Sequence, residues 1–167
     1  MAILRCQCET NTEMQLLMIE FISLLLLLFV TGVFWGPWLA LHRSLHLFSK
    51  EEFIKITNIM AINLGRPMQV LMPLCLLFML TSVLIYPNKG SFGFYLILSS
   101  LGCMIITFIV TMTIELPIVN KIKLWTSDTA PSDWNEIRDK WVKFHALRVF
   151  PALISFGLYL IAILHSN

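Results

Sequence analysis

The feature of this sequence that most constrains the fold is a set of four long stretches without a charged side chain. They cover residues 21–42, 67–88, 90–114 and 149–167. Each is longer than the ~18 residues from which a transmembrane helix is considered. A membrane β-barrel would need strands of about ten residues in which apolar and polar residues alternate, and the leucine run 24–28 does not alternate. The sequence therefore predicts four transmembrane helices.

Composition argues against a soluble domain. Only 13% of the 167 residues are charged and 57% are apolar, whereas soluble domains carry about 25% charged residues. The net charge of +2 is too small to indicate a nucleic-acid partner. We expect one all-α domain, an integral membrane four-helix bundle in contact with the lipid bilayer. Its helices are predicted at 14–42, 50–86, 91–116 and 133–165, with a segment along the membrane surface at 118–125.

Basic residues fall mainly on one side of the predicted bundle. Ten of the 12 lysine and arginine residues lie in the two longer loops and the adjoining helix ends, and Arg5 and Lys89 lie on the opposite side. Cytoplasmic loops carry an excess of these residues. We therefore predict a multi-pass protein of the cell membrane with both termini outside and two cytoplasmic loops.

Helix-breaking and ionisable residues gather at the predicted cytoplasmic end. Proline removes a backbone donor, and irregular backbone persists in a membrane only where protein or a water-filled cavity covers it. Such residues indicate a cavity at this depth, although proline is also common near helix ends. The prolines are Pro37, Pro67, Pro117 and Pro151, and the ionisable residues are His42, Arg66, Glu115, His145 and Arg148.

Glu115 is the ionisable residue that most needs a partner. It follows the uncharged stretch 90–114 and precedes a proline by two positions. Charges inside a membrane are costly and are functional hypotheses by default. We predict that Glu115 pairs with a cation of the last helix, foremost Arg148, and that this pair borders a ligand site. Glu20, near the other end of the first helix, is expected at the level of the lipid headgroups.

Two helices carry aromatic and basic residues at helical spacing, which places them on one face of each helix. In the last helix these are Trp134, Arg138, Trp141, His145 and Arg148, and in the first helix Thr31, Trp35, Trp38 and His42. Two such faces predict an aromatic pocket with cationic donors. Tryptophan at the membrane interface and arginine bound to headgroups would produce the same pattern.

These motifs resemble a known family. The segment Glu115-Leu-Pro-Ile-Val-Asn120, then Trp125, Trp134 and the run Arg138-x-x-Trp141-x-x-x-His145-x-x-Arg148 resemble the anthrone oxygenase-like family of small four-helix membrane proteins. Gly32, Pro37 and residues 67–73 extend the resemblance over the first two helices. Characterised fungal members oxidise polyketide anthrones to anthraquinones with molecular oxygen. The resemblance implies an oxygenase without a tightly held cofactor.

The leading functional hypothesis is an oxidoreductase or oxygenase acting on a flat, hydrophobic phenolic or quinone-like small molecule. The expected catalytic residues are Glu115, His145 and Arg148. Glu115 or His145 would take a proton, and Arg148 or Arg138 would stabilise an oxyanion. The expected substrate-binding residues are Trp38, His42, Arg66, Asn120, Trp134, Arg138 and Trp141.

Two other functions stay open from the sequence. One is a non-catalytic membrane protein that binds a lipid or quinone, and the other is a subunit of a larger assembly, including a homo-oligomer. The chain has no Gly-rich nucleotide loop and no Cys-x-x-Cys-His haem attachment motif. His42 and His145 are the one pair that could hold haem between two helices. His42 and His46 have the spacing of helical metal ligands but no third ligand nearby, so neither a cofactor nor a metal is predicted.

Overall fold

The structure, a computed structural model, describes residues 2–41 and 44–166, with side chains described for residues 14–41 and 44–165. Its helices are α1 (Ala2–Leu41), α2 (Lys50–Asn63), α3 (Gly65–Ile85), α4 (Phe92–Val110), α5 (Leu116–Ile122) and α6 (Trp134–Ser166). A short 3-10 helix covers Leu45–Leu47, and a π-helical turn covers Thr111–Glu115 between α4 and α5. The described residues contain no strand. The predicted all-α fold is confirmed.

Within the described residues, four helical spans are long and apolar enough to cross a membrane. They are Met14–Leu41, Gly65–Ile85, Phe92–Ile122 and Trp134–His165. Large apolar side chains such as Phe21 and Leu77 are exposed on their outer surfaces, as expected for helices in contact with lipid rather than water. The chain is a multi-pass membrane protein built as a four-helix bundle. The orientation of its termini stays a prediction from the basic residues.

Two predicted helix bounds differ from the structure. The segment predicted as one helix at 50–86 forms α2 and α3, which meet at Leu64. Pro67 cannot donate a backbone hydrogen bond to the carbonyl of Asn63, so the helical ladder is interrupted there. The segment expected along the membrane surface at 118–125 is helical through Ile122, and its position relative to the membrane stays a prediction.

The π-helical turn explains why that helix continues. Pro117 has no backbone N–H, and its ring collides with the carbonyl of Thr113 in a regular helix. The helical turn contains one additional residue, so that the backbone N–H of Leu116 donates to the carbonyl oxygen of Thr111, five positions earlier. This widened turn ends at Glu115 and determines where its side chain lies. Such turns are frequent at functional sites.

Hydroxyl side chains fix the antiparallel register of α4 and α6. Ser100 Oγ donates to the carbonyl oxygen of Ser155 at 2.7 Å, and Ser155 Oγ donates to that of Ser100 at 2.9 Å. Seven residues further along α4, Thr107 Oγ1 donates to the carbonyl oxygen of Arg148 at 3.4 Å. Interhelical hydrogen bonds of this kind hold transmembrane helices together. They bring Arg148 beside the end of α4.

Two apolar clusters fill the bundle. One runs through its centre and includes Phe34 and Met72. The other packs α2 and α5 against the start of α6 through Phe53, Ile122 and Trp141. We call the end of the bundle that holds this second cluster the loop end. The opposite end, which holds the short turn between α3 and α4, is called the turn end.

Candidate functional site

A cavity of about 460 Å³ lies toward the loop end of the bundle. It is lined by members of both apolar clusters, including Phe34 and Met72 from the central one and Trp141 from the loop-end one. Its walls come from α1, α2, α3, α5, α6 and the π-helical turn. Pockets for small organic molecules typically have volumes of about 300–1,000 Å³. The cavity is therefore large enough for a small aromatic molecule.

Arg148 connects several walls of this cavity. Its Nη2 lies 3.2 Å from Glu115 Oε2 and 2.8 Å from His145 Nδ1. Its Nη1 donates to Thr111 Oγ1 at 3.5 Å, and its Cζ lies 4.6 Å from the centroid of the Phe34 ring. A guanidinium over an aromatic ring is attracted by the ring's negative face. The predicted ion pair between Glu115 and Arg148 is confirmed.

The hydrogen bonds of His145 define its tautomer. His145 Nε2 lies 3.2 Å from the carbonyl oxygen of Phe34. A carbonyl can only accept, so Nε2 carries the proton. His145 Nδ1 faces the guanidinium of Arg148, which can only donate, so Nδ1 accepts. Both ring nitrogens are thus engaged, and His145 orients the guanidinium of Arg148.

Three buried polar atoms of the cavity lining have neither a hydrogen-bond partner nor an ion-pair partner among the described residues. They are Glu115 Oε1, Trp141 Nε1 and Thr57 Oγ1. The three residues are only 2%, 5% and 1% exposed. Leaving a buried polar group unpaired costs roughly 1–3 kcal/mol, so native proteins satisfy such groups with water or a ligand. The wall thus offers an acceptor, a donor and a hydroxyl that can do both.

One side of the cavity is exposed, and we call it the rim. Its residues come from α2 and α3 on one flank and from the π-helical turn and α5 on the other. They are Ile62, Arg66, Gln69, Met112, Asn120 and Lys123. The rim leads to a buried floor formed by Glu115, Trp141 and His145. The lining therefore combines exposed residues at the rim with buried polar residues at the floor.

Six of the ten predicted site residues line this cavity: Glu115, His145, Arg148, Arg66, Asn120 and Trp141. His42 lies outside the described residues. The remaining three, Trp38, Trp134 and Arg138, lie outside the cavity lining.

The three residues outside the lining make other contacts. Trp38 stacks on Trp35 with ring centroids 4.9 Å apart. Trp134 packs against Phe53 at the loop end. Arg138 lies over the Trp134 ring, with its Cζ 5.3 Å from the centroid, and pairs with Asp139 at 2.9 Å. Their contacts support the packing of the helices around the cavity.

Three lining residues were not predicted from the sequence, namely Phe34, Thr57 and Thr111. The face of α1 that turns inward runs through Val30 and Phe34, one position away from the predicted stripe through Trp35. The spacing of the apolar residues in α1 could have shown this, because Val30 and Phe34 are four apart. Thr57 gave no such signal, since a single threonine in an amphipathic helix is common.

Residues 61–158, more than half of the 167 residues, match a family model described as anthrone oxygenase. The matched segment contains Glu115, Trp141, His145 and Arg148. No curated protein and no solved structure matched the chain. Among the residues described, no group of three or more His, Cys, Asp or Glu side chains is placed to hold a metal ion.

Proposed function

The chain belongs to the anthrone oxygenase family, and from this premise we propose that it is a membrane-embedded oxygenase of a flat, hydrophobic phenolic or quinone-like molecule. The proposed substrate site is the cavity at the loop end. Three buried polar atoms, all unpaired among the described residues, carry the proposal because they line the same cavity as the Arg148 guanidinium, in a space of suitable volume. Proposed catalytic residues are Glu115 and Arg148, and His145 is proposed as the positioning residue for Arg148.

Glu115 is the proposed base. Its Oε2 contacts Arg148, and its Oε1 has no partner among the described side chains. A carboxylate placed in this way can take the acidic C–H proton of an anthrone-type ketone, which leaves an enolate. The guanidinium of Arg148 then stabilises the enolate oxygen. The electron-rich enolate reduces molecular oxygen, and the overall change of anthrone and oxygen to anthraquinone and water balances without another reductant.

The apolar lining suits an aromatic ring. Phe34 and Trp141 offer aromatic surfaces, and Met60, Met68 and Met72 line the same space. Aromatic side chains pack favourably against flat rings, and methionine adapts to irregular shapes. The unpaired groups of Trp141 and Thr57 are proposed to bind oxygen substituents of the substrate, since one donates and the other can donate or accept.

Oxygen uptake by the purified protein in a neutral detergent, with an anthrone as substrate, tests this proposal. Glu115→Gln should lower turnover by about 100-fold, because general-base catalysis contributes at least about that factor. Glu20→Gln is the matched control, since it also removes a buried carboxylate but lies outside the cavity lining. Anthraquinone absorbance should follow oxygen uptake in both. Wild-type turnover in Glu115→Gln would remove this residue from the mechanism.

A second pair of variants separates binding from folding. Trp141→Phe keeps an aromatic surface and removes the unpaired N–H. KM should rise about five-fold, because this change corresponds to the binding free energy that one neutral hydrogen bond contributes. Trp125→Phe is the control, because Trp125 is also buried at the loop end but does not line the cavity. Ligand binding without oxygen uptake in the wild type would favour the non-catalytic alternative, a protein that binds a lipid or quinone.

A further inference from the structure

The rim of the cavity carries charge of one sign. Arg66 and Lys123 are exposed on its two flanks, together with the amide side chains of Gln69 and Asn120. Among the described lining residues the one acidic side chain is Glu115, which is buried and paired with Arg148. The rim therefore combines two cations and two amides without a carboxylate at the surface.

These two cations have no carboxylate partner within the described part of the chain. Arg138 pairs with Asp139 and Arg148 pairs with Glu115, whereas Arg66 and Lys123 form no ion pair with a described carboxylate. Both are thus available to an anion that arrives from outside. An arginine and a lysine on opposite flanks can bind one oxyanion together, the guanidinium by parallel hydrogen bonds and the ammonium as a point charge.

Apolar side chains lie beside these cations at the rim. Ile62 is 62% exposed and Met112 is 36% exposed, and Met112 belongs to a helical span long enough to cross a membrane. The rim therefore presents both an apolar surface and a positive charge. An amphiphile with an apolar body and an acidic end would contact both.

We propose that the rim is a subsite for a carboxylate, so that the substrate is a flat phenolic molecule with an acidic substituent at the end away from the reacting ring. This inference rests on the proposed function, because it assumes that the ring occupies the floor beside Trp141 and Arg148. The ring then lies near Glu115, and the carboxylate reaches Arg66 and Lys123. The rim favours substrates with an acidic substituent and binds them in one orientation.

A matched pair of ligands tests the inference: anthraquinone-2-carboxylate and anthraquinone-2-carboxamide, which share a ring system and differ in charge. Binding is measured by quenching of tryptophan fluorescence in a neutral detergent. The carboxylate should bind about five-fold more tightly, because two exposed charge contacts together add a binding free energy of about that size. This preference should shrink at high salt because exposed charges are screened.

Variants assign the preference to the rim. The double variant Arg66→Gln/Lys123→Gln should lower the affinity for the carboxylate to that for the carboxamide. Lys121→Gln is the matched control and should keep the preference. Lys121 is exposed two positions before Lys123 in the chain but lies outside the cavity lining.

The outcomes distinguish the two proposals. Equal affinity of the two ligands for the wild type, or a preference that persists in the double variant, would overturn the carboxylate subsite while leaving the aromatic site intact. Absence of binding by both ligands would overturn the subsite and the proposed function together. Competition by a short-chain phosphatidylglycerol, but not by the phosphatidylcholine of equal length, would assign the rim to a lipid phosphate and overturn the substrate assignment.

Discussion

Two buried carboxylates at opposite ends of the bundle differ in their surroundings. Glu115 and Glu20 are 2% and 3% exposed. Glu115, at the loop end, pairs with Arg148 and lines the cavity. Glu20, toward the turn end, lies near the hydroxyl of Tyr159 and forms no ion pair with a described cation. The sequence predicted Glu20 at headgroup level, and the structure buries its side chain inside the bundle.

The comparison shows which features distinguish a candidate site from a packing contact. Glu20 Oε1, like Glu115 Oε1, has no hydrogen-bond partner among the described residues, so an unpaired buried oxygen is not sufficient. Around Glu20 the polar groups join helices, as where the Tyr159 hydroxyl donates to Ser82 Oγ at 2.9 Å. Around Glu115 there are in addition a cation and a cavity. These two features allow a ligand to bind and a charge to be stabilised.

The largest effect on stability is expected when a substitution breaks the ion pair at the loop end. Arg148→Gln should lower the free energy of unfolding by about 3–5 kcal/mol, because it leaves the Glu115 carboxylate buried without its cation. The double variant Glu115→Gln/Arg148→Gln should lose less than the sum of the single losses. Thermal unfolding in detergent measures all three variants. Combining Arg148→Gln with Glu20→Gln is the control and should give additive losses. Additive losses for Glu115 and Arg148 would show that the pair is not coupled.

An intermediate effect is expected at the turn end. A Cβ at Gly93 would lie 2.5 Å from the Tyr86 hydroxyl oxygen, so Gly93→Ala should cost about 1–3 kcal/mol through overpacking. Tyr86→Phe removes that oxygen and should restore part of the loss. Turnover per folded molecule should stay unchanged, because the change lies far from Glu115 along the helices.

Gly102→Ala is the matched control for this experiment, since a Cβ at that position meets no atom within 4 Å. Thermal unfolding and oxygen uptake are measured on the same samples. A fall in turnover with Gly93→Ala at full folding would contradict the separation between the two ends.

The smallest expected effect concerns the start of α2, which carries the cavity residue Thr57. Ser49 and Glu52 form a reciprocal capping box, and hydrogen bonds from the Ser49 backbone and hydroxyl lower the pKa of Glu52 below its ordinary 4.5. Because the pKa is lower in the folded state, this contribution to stability is present above the ordinary carboxyl pKa. It is lost as the pH falls through the lower folded-state pKa.

Glu52→Gln should therefore remove a small part of the acid dependence of unfolding. Thermal unfolding is followed from neutral pH to below the ordinary carboxyl pKa. Glu51→Gln is the control, because Glu51 lies in the same first turn but does not take part in the capping box. An identical acid dependence in the wild type and Glu52→Gln would contradict the role of this carboxylate.

The sequence predicts more of the fold than of the candidate site. Apolar stretches gave the four spans, because the cost of burying charge in lipid depends on composition and length more than on packing. The break at Leu64 and the π-helical turn before Pro117 were not predicted, although each lies within three residues of a proline. A proline shows that the helical ladder is interrupted, but the neighbouring helices decide whether the chain bends, breaks or widens.

Which residues line the cavity depends on how the helices pack against one another. Trp38 and Arg138 have suitable chemistry and spacing, but packing directs Trp38 toward Trp35 and Arg138 toward Trp134. Phe34 and Thr57 come from different helices and line the same cavity. A single helical stripe shows which residues share a face but not what that face contacts.

The sequence by itself determined the spanning helices and the need of Glu115 for a cationic partner, because a charge next to a long apolar stretch must be compensated in any fold. The sequence also predicted Arg148 as the foremost partner, which the structure confirms, but only the tertiary structure decided that His145 has both ring nitrogens engaged. It also decided that Trp141 and Thr57 keep unpaired polar atoms in the lining of the same cavity. The reason is that these properties depend on distances of a few ångströms between residues far apart in the chain, which follow from the register in which the helices pack.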